Sequence, residues 1–503
     1  MNSYNSNTRS IHIDTHQYVD KSYQSQIEIC KPQEIKLRDY QQGLIRLVFA
    51  KWENNDRKLI MQLPTGGGKT VILSAIARNF YQRQEPILVV AHTEELIFQL
   101  RNALESVCGV MVGVIKAGIK ANPDRLIQVA SVQTLRNRDL PAAALVIVDE
   151  SHHATAKTYR QIIDSYPDAY ILGVTATPCR TDGSGFDDLF DSLVSITSPR
   201  ELIEQGYLCD YKLIASPQAI SIKGIKTTGG DFNNRDLADS VDVVELAGNL
   251  IGAYKLYAIA KKCVVFAINC NHSKAIAQRY NSAGIPAEHL DGETPDDERK
   301  AIIERFRTGE TLVLCNVNIV TEGFNLPNIE VVQVARPTKS LSLWLQMVGR
   351  GLRTAEGKKH ALILDHTDNF VRLGMPDANH IWLLEGVTVA KEKLKRKRNN
   401  QIEREDDLFE IVETESVVLQ EVTAIDAEKL RLQEELKNLE KLFETAAHKE
   451  YEKGWVAFKF LESKPSLEAL KACAARLGYK QGWAFVKFNE IANPSQHQVE
   501  RVA

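Results

Sequence analysis

The sequence predicts an α/β protein with two tandem domains, each built on a parallel sheet, followed by a helical connector and a small repeat module. Two observations lead to this fold class. The chain has 503 residues, enough for two or three domains of ordinary size. From 37 to 364, short β-branched runs alternate with amphipathic stretches, a pattern typical of βαβ units with parallel strands.

Ten apolar runs are the predicted strands. The first domain contains KLIMQL, ILVVAH, LIQVAS, ALVIVDE and AYILGVT, and the second contains KCVVFAI, AEHLDG, TLVLCN, VVQVA and HALILD. We place a flexible N-terminal segment at 1–35, the first domain at 36–199 and the second at 200–385, with the boundary near Pro199. The stretch 227–236, TTGGDFNNRD, is expected to be an exposed loop between the two sheets.

The pattern changes beyond 386, where a basic run and an acidic run precede a helical stretch. The apolar residues of that stretch follow a four, three, four spacing, at Leu432, Leu436, Leu439 and Phe443. This spacing gives one apolar stripe on a helix. We therefore expect a charged linker and a helical connector at 386–449.

The last part of the chain repeats itself. YEKGWVAFKF at 451–460 returns as YKQGWAFVKF at 479–488, which predicts one small Gly-Trp repeat module at 450–503. A module of this size needs its large aromatic side chains inside, so a core position is expected for four of them. The alternative is that they stack on the bases of a single nucleic-acid strand, beside lysines. These aromatic residues are Trp455, Phe458, Trp483 and Phe485.

Composition and charge exclude several classes of protein. Hydrophobic residues make up 44% and charged residues 25% of the chain, as in ordinary globular proteins, and no run approaches the ~18 apolar residues of a membrane helix. The net charge is −3, so a nucleic-acid partner requires a local basic groove. The scattered cysteines show no zinc-type spacing and no apolar signal core opens the chain. We expect a cytoplasmic protein.

A glycine-rich segment between a predicted strand and a predicted helix indicates a phosphate loop. Its glycines let backbone N–H groups face a triphosphate, Lys69 reaches the β and γ phosphates, and Thr70 holds Mg²⁺. Leu63 stands where the GxxxxGK[ST] pattern has its first glycine, and the alternative is an ordinary glycine-rich turn. The residues predicted to bind ATP here are Pro64, Thr65, Gly66, Gly67, Gly68, Lys69 and Thr70.

Two carboxylates end the apolar strand of VIVDESH, and a strand end of this kind brings them to the edge of a parallel sheet where ligands bind. Asp149 is expected to hold Mg²⁺, and Glu150 is expected to orient and deprotonate the attacking water. An acidic strand end is also found in solvated turns and helix caps. Its position downstream of Lys69, with alternating strands between, favours the catalytic interpretation.

The whole set of motifs resembles a superfamily 2 helicase or translocase with two RecA-like lobes and a DExH-type box. The resemblance covers about 37 to 370, in the family's order: LRDYQ, LPTGGGKT, VVAHTEELIFQ, ASVQTL, VDESHH, TAT, VVFAINCNHSKAIAQRY, NIVTEGFN and QMVGRGLR. It implies further ATP contacts at Arg38, Gln41, Gly323 and Asn325, with Gln41 on the adenine edge. It also implies coupling roles for three residues of lobe 1, namely His152, Thr175 and Thr177.

The motif QMVGRGLR supplies the other half of the catalytic site in this resemblance, through Gln346, Arg350 and Arg353. An arginine that reaches a phosphoryl transition state from another element is worth roughly 10³ to 10⁵ in rate. Because these residues lie in the second domain and Lys69 and Glu150 in the first, catalysis would require the lobes to close. The alternative for each arginine is an ion pair with surface carboxylates.

The resemblance also implies a nucleic-acid track across both lobes. Hydroxyl and amide side chains suit phosphate contacts, although a cap or turn role is as frequent for each residue. The candidates are His92, Thr93, Ser131, Gln133, Thr134, Asn269 and Thr321.

The forms QMVGRGLR and TATP resemble a DNA-directed branch that includes RadD-like bacterial repair helicases, phage UvsW-type helicases and type I restriction motor subunits. RadD-like proteins commonly carry a Cys-rich zinc element after the motor, whereas the tail here contains only Cys473. We expect an ATP-dependent DNA helicase or duplex translocase. The alternatives are an RNA helicase and an ATP-regulated DNA clamp that recruits a protein partner through its C-terminal region.

Overall fold

The computed structural model of the protein describes 34–153, 157–180, 183–215, 225–240, 243–317, 329–386, 420–422, 424–449, 451–480 and 482–492. The motif NIVTEGFN, with its candidates Thr321, Gly323 and Asn325, lies outside these ranges, as do 1–33 and the basic run after 386.

The first lobe is one seven-stranded sheet with helices around it. Its strands are β1 (Lys58–Gln62), β2 (Ile87–Ala91), β3 (Gly113–Ile115), β4 (Ile127–Ser131), β5 (Leu145–Asp149), β6 (Tyr170–Thr175) and β7 (Ser192–Val194). Its helices are α1 (Asp39–Glu53), α2 (Lys69–Gln82), α3 (Glu94–Cys108), α4 (Val132–Leu135) and α5 (Lys157–Asp164). The strand order is β3-β4-β2-β5-β6-β1-β7, and all strand pairs are parallel.

The second lobe has a seven-stranded sheet and a separate two-stranded hairpin. Its strands are β8 (Asp210–Ala215), β9 (Thr227–Thr228), β10 (Asp231–Phe232), β11 (Cys263–Phe266), β12 (Ala287–Leu290), β13 (Val313–Asn316), β14 (Val331–Val334), β15 (His360–Asp365) and β16 (Gln420–Val422). The helix between the lobes is α6 (Pro199–Glu204), and those of the second lobe are α7 (Asn234–Ser240), α8 (Val243–Tyr257), α9 (Cys270–Ser282), α10 (Asp296–Thr308), α11 (Leu341–Gly349) and α12 (Asn369–Leu373). The sheet order is β12-β13-β11-β14-β15-β8-β16, with β16 alone antiparallel to its neighbour.

All ten predicted strands are confirmed, and two parallel α/β lobes follow in tandem. Buried β-branched and leucine residues fill both faces of each sheet, as parallel strands covered by helices require. The boundary region contains α6, which begins at Pro199 and separates the last strand of the first sheet from β8 of the second. None of the helices in the described part of the chain is long and apolar enough to span a membrane.

The stretch 227–236 is not an exposed loop, and that prediction is wrong. It forms the hairpin β9–β10, whose two-residue turn uses the positive φ angles of Gly229 (62°) and Gly230 (92°). Asp231 accepts hydrogen bonds from the Thr338 hydroxyl (2.8 Å) and the Lys339 backbone N–H (2.7 Å). These contacts bury the second strand in lobe 2, which a count of turn-forming residues does not detect.

A segment at 376–386, the return segment, runs from lobe 2 back to lobe 1. Its Leu384 carbonyl accepts the Phe186 N–H at 2.6 Å, and Gly386 pairs with Ser184 in an antiparallel bridge. A methyl group on Gly185 would overlap the Leu384 carbonyl, so this close approach requires glycine. The lobes are therefore joined by two chain crossings, the α6 region and the return segment.

The C-terminal helices are α13 (Ala424–His448), α14 (Lys453–Glu462), α15 (Leu467–Leu477) and α16 (Gly482–Ala492). They share one apolar core, to which the connector helix α13 contributes Leu439 and Ala446. Trp455 and Trp483 pack against this core. Phe458 and Phe485 are 53% and 49% exposed. The predicted core position thus holds for the tryptophans and is wrong for the two phenylalanines.

Candidate ATP site at the lobe interface

The C-terminal edge of the first sheet brings the predicted site residues together. In the sheet, β6 lies between β5 and β1, so Asp149, Thr175 and the phosphate loop end side by side. The Leu63 N–H donates to the Thr175 carbonyl at 3.0 Å and fixes the start of the loop. Such an edge, at the carboxyl ends of parallel strands, is where α/β proteins bind ligands.

The phosphate loop turns through two glycines with positive φ angles, Gly66 at 85° and Gly68 at 87°. The Gly67 N–H donates to the Pro64 carbonyl at 2.9 Å. Leu63, at the position where the strict pattern has glycine, is fully buried. It anchors the loop in the core, and α2 begins directly after the loop, at Lys69.

The start of α1 braces the loop from the side. The Tyr40 hydroxyl and the Gln41 Nε2 both donate to the Gly67 carbonyl, at 2.7 and 3.2 Å. The Gln41 Oε1 accepts the Arg38 backbone N–H at 3.0 Å, and the Arg38 guanidinium lies 4.3 Å from the centre of the Tyr207 ring. The predicted adenine contact of Gln41 stays a prediction, because in this structure its amide holds the loop.

Lys69 and Glu150 form the central ion pair, with 2.7 Å between Nζ and Oε1. The other carboxylate oxygen of Glu150 lies 3.3 Å from the His152 Nδ1. Burial opposes ionisation of Glu150, but the Lys69 ammonium and the contact with His152 outweigh it and hold its pKa well below the usual range. The carboxylate is therefore ionised. Its backbone has a φ of 47°, a strained value that is often found at functional sites.

Asp149 has the opposite environment although it is the preceding residue. Burial raises its pKa to about 6, and the neighbouring Glu150 charge adds to this, while Lys69 opposes it. The pKa values of two adjacent carboxylates are thus shifted in opposite directions, which is how one site separates two roles for the same chemical group.

Helix α11 of lobe 2 lies against three motifs of lobe 1. Ser342 Oγ is 2.6 Å from Thr177 Oγ1, and Gln346 Nε2 is 3.0 Å from His152 Nε2. A methyl group on Gly349 would come within 2.8 Å of Thr65. Residues 342, 346 and 349 are four and three positions apart and therefore share one face of the helix. That face contacts the ends of β6 and β5 and the phosphate loop in turn.

The arginines of QMVGRGLR follow α11 directly. Arg350 is 5% exposed. A methyl group on Gly66 would lie 3.7 Å from the Arg353 Cγ, so Arg353 is next to the tip of the phosphate loop. Burial lowers the Arg353 pKa.

Lys358 holds the backbone that carries these arginines. Its Nζ donates to the carbonyl oxygens of Ile329 (2.6 Å), Arg353 (2.9 Å) and Gly351. An ammonium has three donors. Two of them bind the segment that carries the arginines, and the third ties that segment to the chain just before β14 through Ile329. Sequence reasoning missed Lys358, as it missed Ser342, Tyr40 and Tyr207. A lysine five residues after the motif carries no local signal of this role.

Two family models match the chain. The one described as type III restriction enzyme, res subunit, matches 34–180, and the one described as helicase conserved C-terminal domain matches 245–355. A 51.5 kDa protein of a Lactococcus phage (isolate 7-9) is 33% identical over 323 residues, which cover 64% of this chain and 68% of that protein. The chain belongs to the superfamily 2 helicases.

One further relative agrees with this membership, and one solved structure shares the fold. A Saccharomyces cerevisiae protein assigned as the ATP-dependent helicase IRC3 is 31% identical over 354 residues, covering 65% of this chain and 51% of that protein. This chain therefore matches about half the length of the yeast relative. A fragment assigned as the HsdR subunit of a type I restriction enzyme from Vibrio vulnificus YJ016 has the same fold, with a TM-score of 0.54 and 22% identity over 68% of this chain and 66% of that one. As a superfamily 2 helicase, the protein is a nucleic-acid-dependent ATPase of the helicase and translocase type.

The helicase's candidate track residues are engaged in local structure. Thr93 caps α3 by accepting the Leu96 N–H at 3.3 Å, and Asn269 caps α9 by accepting the His272 N–H at 2.8 Å. The Thr134 hydroxyl accepts the Ala117 N–H at 3.2 Å. Their roles in nucleic-acid binding stay predictions.

Three other candidates are connected to one another. Ser131 donates to the Gln133 Oε1 at 2.7 Å, and the Gln133 Nε2 donates to the His92 carbonyl at 3.1 Å. This chain of contacts joins the ends of the neighbouring strands β4 and β2. It places three polar residues of the proposed track together at one edge of lobe 1.

Proposed function

We propose that this helicase moves along DNA by closing and opening its two lobes around ATP. The observation that carries the proposal is the face of α11, which contacts Thr65, His152 and Thr177 of lobe 1 through three residues of lobe 2. The phosphate loop therefore touches the other lobe directly through Thr65, and Glu150 is linked to it through His152. ATP chemistry can be converted into lobe motion through these contacts.

Lys69 and Glu150 exchange partners in this proposal. The Lys69 ammonium pairs with the Glu150 carboxylate at 2.7 Å, and a bound triphosphate offers the ammonium a more strongly charged partner. Glu150 then becomes available to orient water and accept its proton. Arg350 and Arg353 supply positive charge to the transferred phosphoryl group from the other lobe.

The donor set fits a magnesium ion. Asp149 offers a buried carboxylate whose ionisation is opposed by burial, and Thr70 offers an exposed hydroxyl at the start of α2. Carboxylate and hydroxyl oxygens suit a hard cation. We propose that these two residues hold Mg²⁺, which when bound neutralises phosphate charge. The carboxylate of Asp149 then no longer bears the full cost of being charged in a buried position.

We propose DNA as the polymer on two grounds. The motif forms QMVGRGLR and TATP are those of the DNA-directed branch that the sequence resembles. Both a matching family model and a structure with the same fold carry the names of restriction enzyme subunits, and restriction enzymes act on DNA.

Measuring ATP turnover with different polymers tests the proposal. The assays contain no polymer, single-stranded DNA, duplex DNA, forked DNA or RNA, and strand separation is followed in parallel. We expect DNA to stimulate turnover at least about tenfold, in the range of the gain from completing a catalytic site on closure. Stimulation by RNA alone would overturn the DNA assignment. Stimulation by DNA without strand separation would identify a translocase, and DNA binding without stimulation would identify a clamp.

Glu150→Gln tests the proposed general base in the same turnover assay. The variant is expected to bind ATP but to turn over roughly 10² to 10⁴ times more slowly, because it has lost its general base. Turnover within a fewfold of the wild-type rate would refute the role of Glu150.

A further inference from the structure

The two Gly-Trp units of the C-terminal module have the same local structure. Each begins with a tyrosine whose ring lies against the tryptophan four residues later, with ring centres 4.6 Å apart for Tyr451 and Trp455 and 5.0 Å apart for Tyr479 and Trp483. In both units the tyrosine N–H donates to the carbonyl five residues earlier. The sequence repeat is thus also a repeat of two helical hairpins, α13–α14 and α15–α16.

Both tyrosine turns lie at the same end of the module. Ser466, just before α15, donates to Glu435 of α13. Arg476, near the end of α15, pairs with Glu440 and lies 4.5 Å from the ring centre of Phe443, both further along α13. Helices α13 and α15 therefore run parallel. The turns that follow them, before α14 and α16, are neighbours on one surface.

Each turn also contains an exposed lysine and a glycine with open space beside it. Within the described residues, the side chains of Lys453 and Lys480 form no ion pair or hydrogen bond, unlike Lys459 and Lys471, which pair with glutamates. A methyl group on Gly454 or Gly482 would meet nothing within 4 Å, and neither glycine has a positive φ. Neither packing nor backbone geometry requires glycine at these two positions.

We infer that this end of the module binds a single nucleic-acid strand. The tyrosine surface consists of Tyr451, Lys453, Trp455, Tyr479, Lys480 and Trp483. Tyrosine rings offer faces for bases with the half-buried tryptophans packed behind them, lysines offer charge for phosphates, and bare glycines let a strand approach the backbone closely. The two turns repeat the tyrosine, the glycine and the tryptophan at the same spacing, and each adds one lysine, two residues after the tyrosine in the first turn and one residue after it in the second. Successive nucleotides would therefore meet the same kinds of group.

The positive charge of this part of the module favours a nucleic acid as the ligand over an acidic or neutral partner. Between 451 and 492 the chain has seven basic and four acidic residues, whereas the whole protein has a net charge of −3. Within 451–455 and 479–483, Glu452 is the one acidic residue. The surface adds a second contact to the polymer of the proposed function, outside the motor lobes.

The test measures binding of the full-length protein to a labelled oligothymidylate and to the RNA of matching sequence, without ATP, by fluorescence anisotropy. In Lys453→Glu/Lys480→Glu we expect an affinity at least about tenfold weaker and a shallower salt dependence, because each lost phosphate contact removes about 0.7 from the slope on single strands. The two polymers show which strand the surface prefers. In Tyr451→Ala/Tyr479→Ala we expect about 5- to 100-fold weaker binding for each base that loses its stacking partner.

Lys429→Glu/Lys437→Glu on α13 is the matched control, with the same charge change on exposed lysines far from the turns. Its affinity should stay within about twofold of wild type, since only the position differs. Equal weakening in both lysine pairs, or wild-type affinity in Lys453→Glu/Lys480→Glu, would overturn the proposal, and the second result would assign the surface to a protein partner. ATP turnover at saturating DNA should be unchanged in the turn variants. If DNA stimulates no turnover while the turn variants still bind it weakly, the motor function fails and the tyrosine surface stands.

Discussion

The sheets of the two lobes have the same strand order but carry different residues at the C-terminal ends of equivalent strands. In chain order, the strands of lobe 2 occupy the positions of their counterparts in lobe 1 one by one. After β5, lobe 1 presents Asp149 and Glu150, whereas after the equivalent β14, lobe 2 presents Ala335 and Arg336. Topology decides where a strand ends, and the residues that follow decide the chemistry there.

Among the described residues, lobe 2 contributes to the site through a helix and not through the end of β14. Its Arg336 is buried and lies 3.6 Å from Asp231 of the hairpin, so the corresponding edge is used for internal packing. Ser342, Gln346 and Arg353 come instead from α11 and the turn after it. A shared fold thus divides one catalytic site into a nucleotide-binding half and a completing half.

Arg353→Lys is expected to have the largest effect on ATP turnover, and it tests whether lobe 2 completes the site. The variant keeps the positive charge but loses the planar guanidinium, and we expect turnover to fall by roughly 10³ to 10⁵. ATP binding, measured by a fluorescent analogue, should change little because lobe 1 supplies the phosphate loop. Arg307→Lys, an exposed arginine of the same lobe, is the control. A loss below about tenfold in Arg353→Lys would mean that lobe 2 does not complete the site.

A smaller effect is expected from the contact between Ser342 and Thr177. Both hydroxyls are buried, so Ser342→Ala leaves the Thr177 hydroxyl without its partner from lobe 2. A buried hydrogen bond contributes about 0.5 to 1.5 kcal/mol, which predicts a roughly 2- to 10-fold loss of the DNA-stimulated rate. Basal turnover and KM for ATP should stay near wild type. Ser342→Thr should restore the rate, and failure to do so would show that the position matters only for packing.

The smallest expected effect is a change in Tm when either of the two adjacent carboxylates of lobe 1 is replaced. The sign of that change distinguishes the two residues. The raised pKa of Asp149, about 6, means that the folded state holds a proton that the unfolded chain releases near pH 4. Its contribution to stability is complete below pH 4 and is lost as the pH rises through 6. Asp149→Asn should therefore raise Tm by a few degrees at pH 7.5 and leave it unchanged near pH 4.

Glu150→Gln should shift Tm the other way. Its lowered pKa stabilises the folded state at neutral pH, and this contribution disappears as the pH falls below the usual range for glutamate. Calorimetry at both pH values checks the pair. Shifts of the same sign in the two variants would contradict the opposite pKa shifts of the two carboxylates.

The sequence was sufficient for the parts of the molecule that local pattern determines. Most of the ten strands are short, mainly apolar runs between helical stretches, and the loop at Gly66 to Thr70 has its turn residues in order. The hairpin at 227–232 was missed because its burial depends on Thr338 and Lys339, far along the chain. Ser342 and Lys358 were missed for a similar reason. Their roles arise from contacts made only after the chain has folded, and no short motif encodes such contacts.

The return segment has a consequence for how the two halves can separate. Leu384 and Gly386 fasten the end of lobe 2 to Phe186 and Ser184 of lobe 1, while the chain near α6 forms the other crossing. Two bodies attached at two points keep one easy rotation, about the line through both attachments, whereas a single tether would leave three. Each ATP turnover would then repeat the same rotation of one lobe about this line, so that the step along the polymer has a constant length.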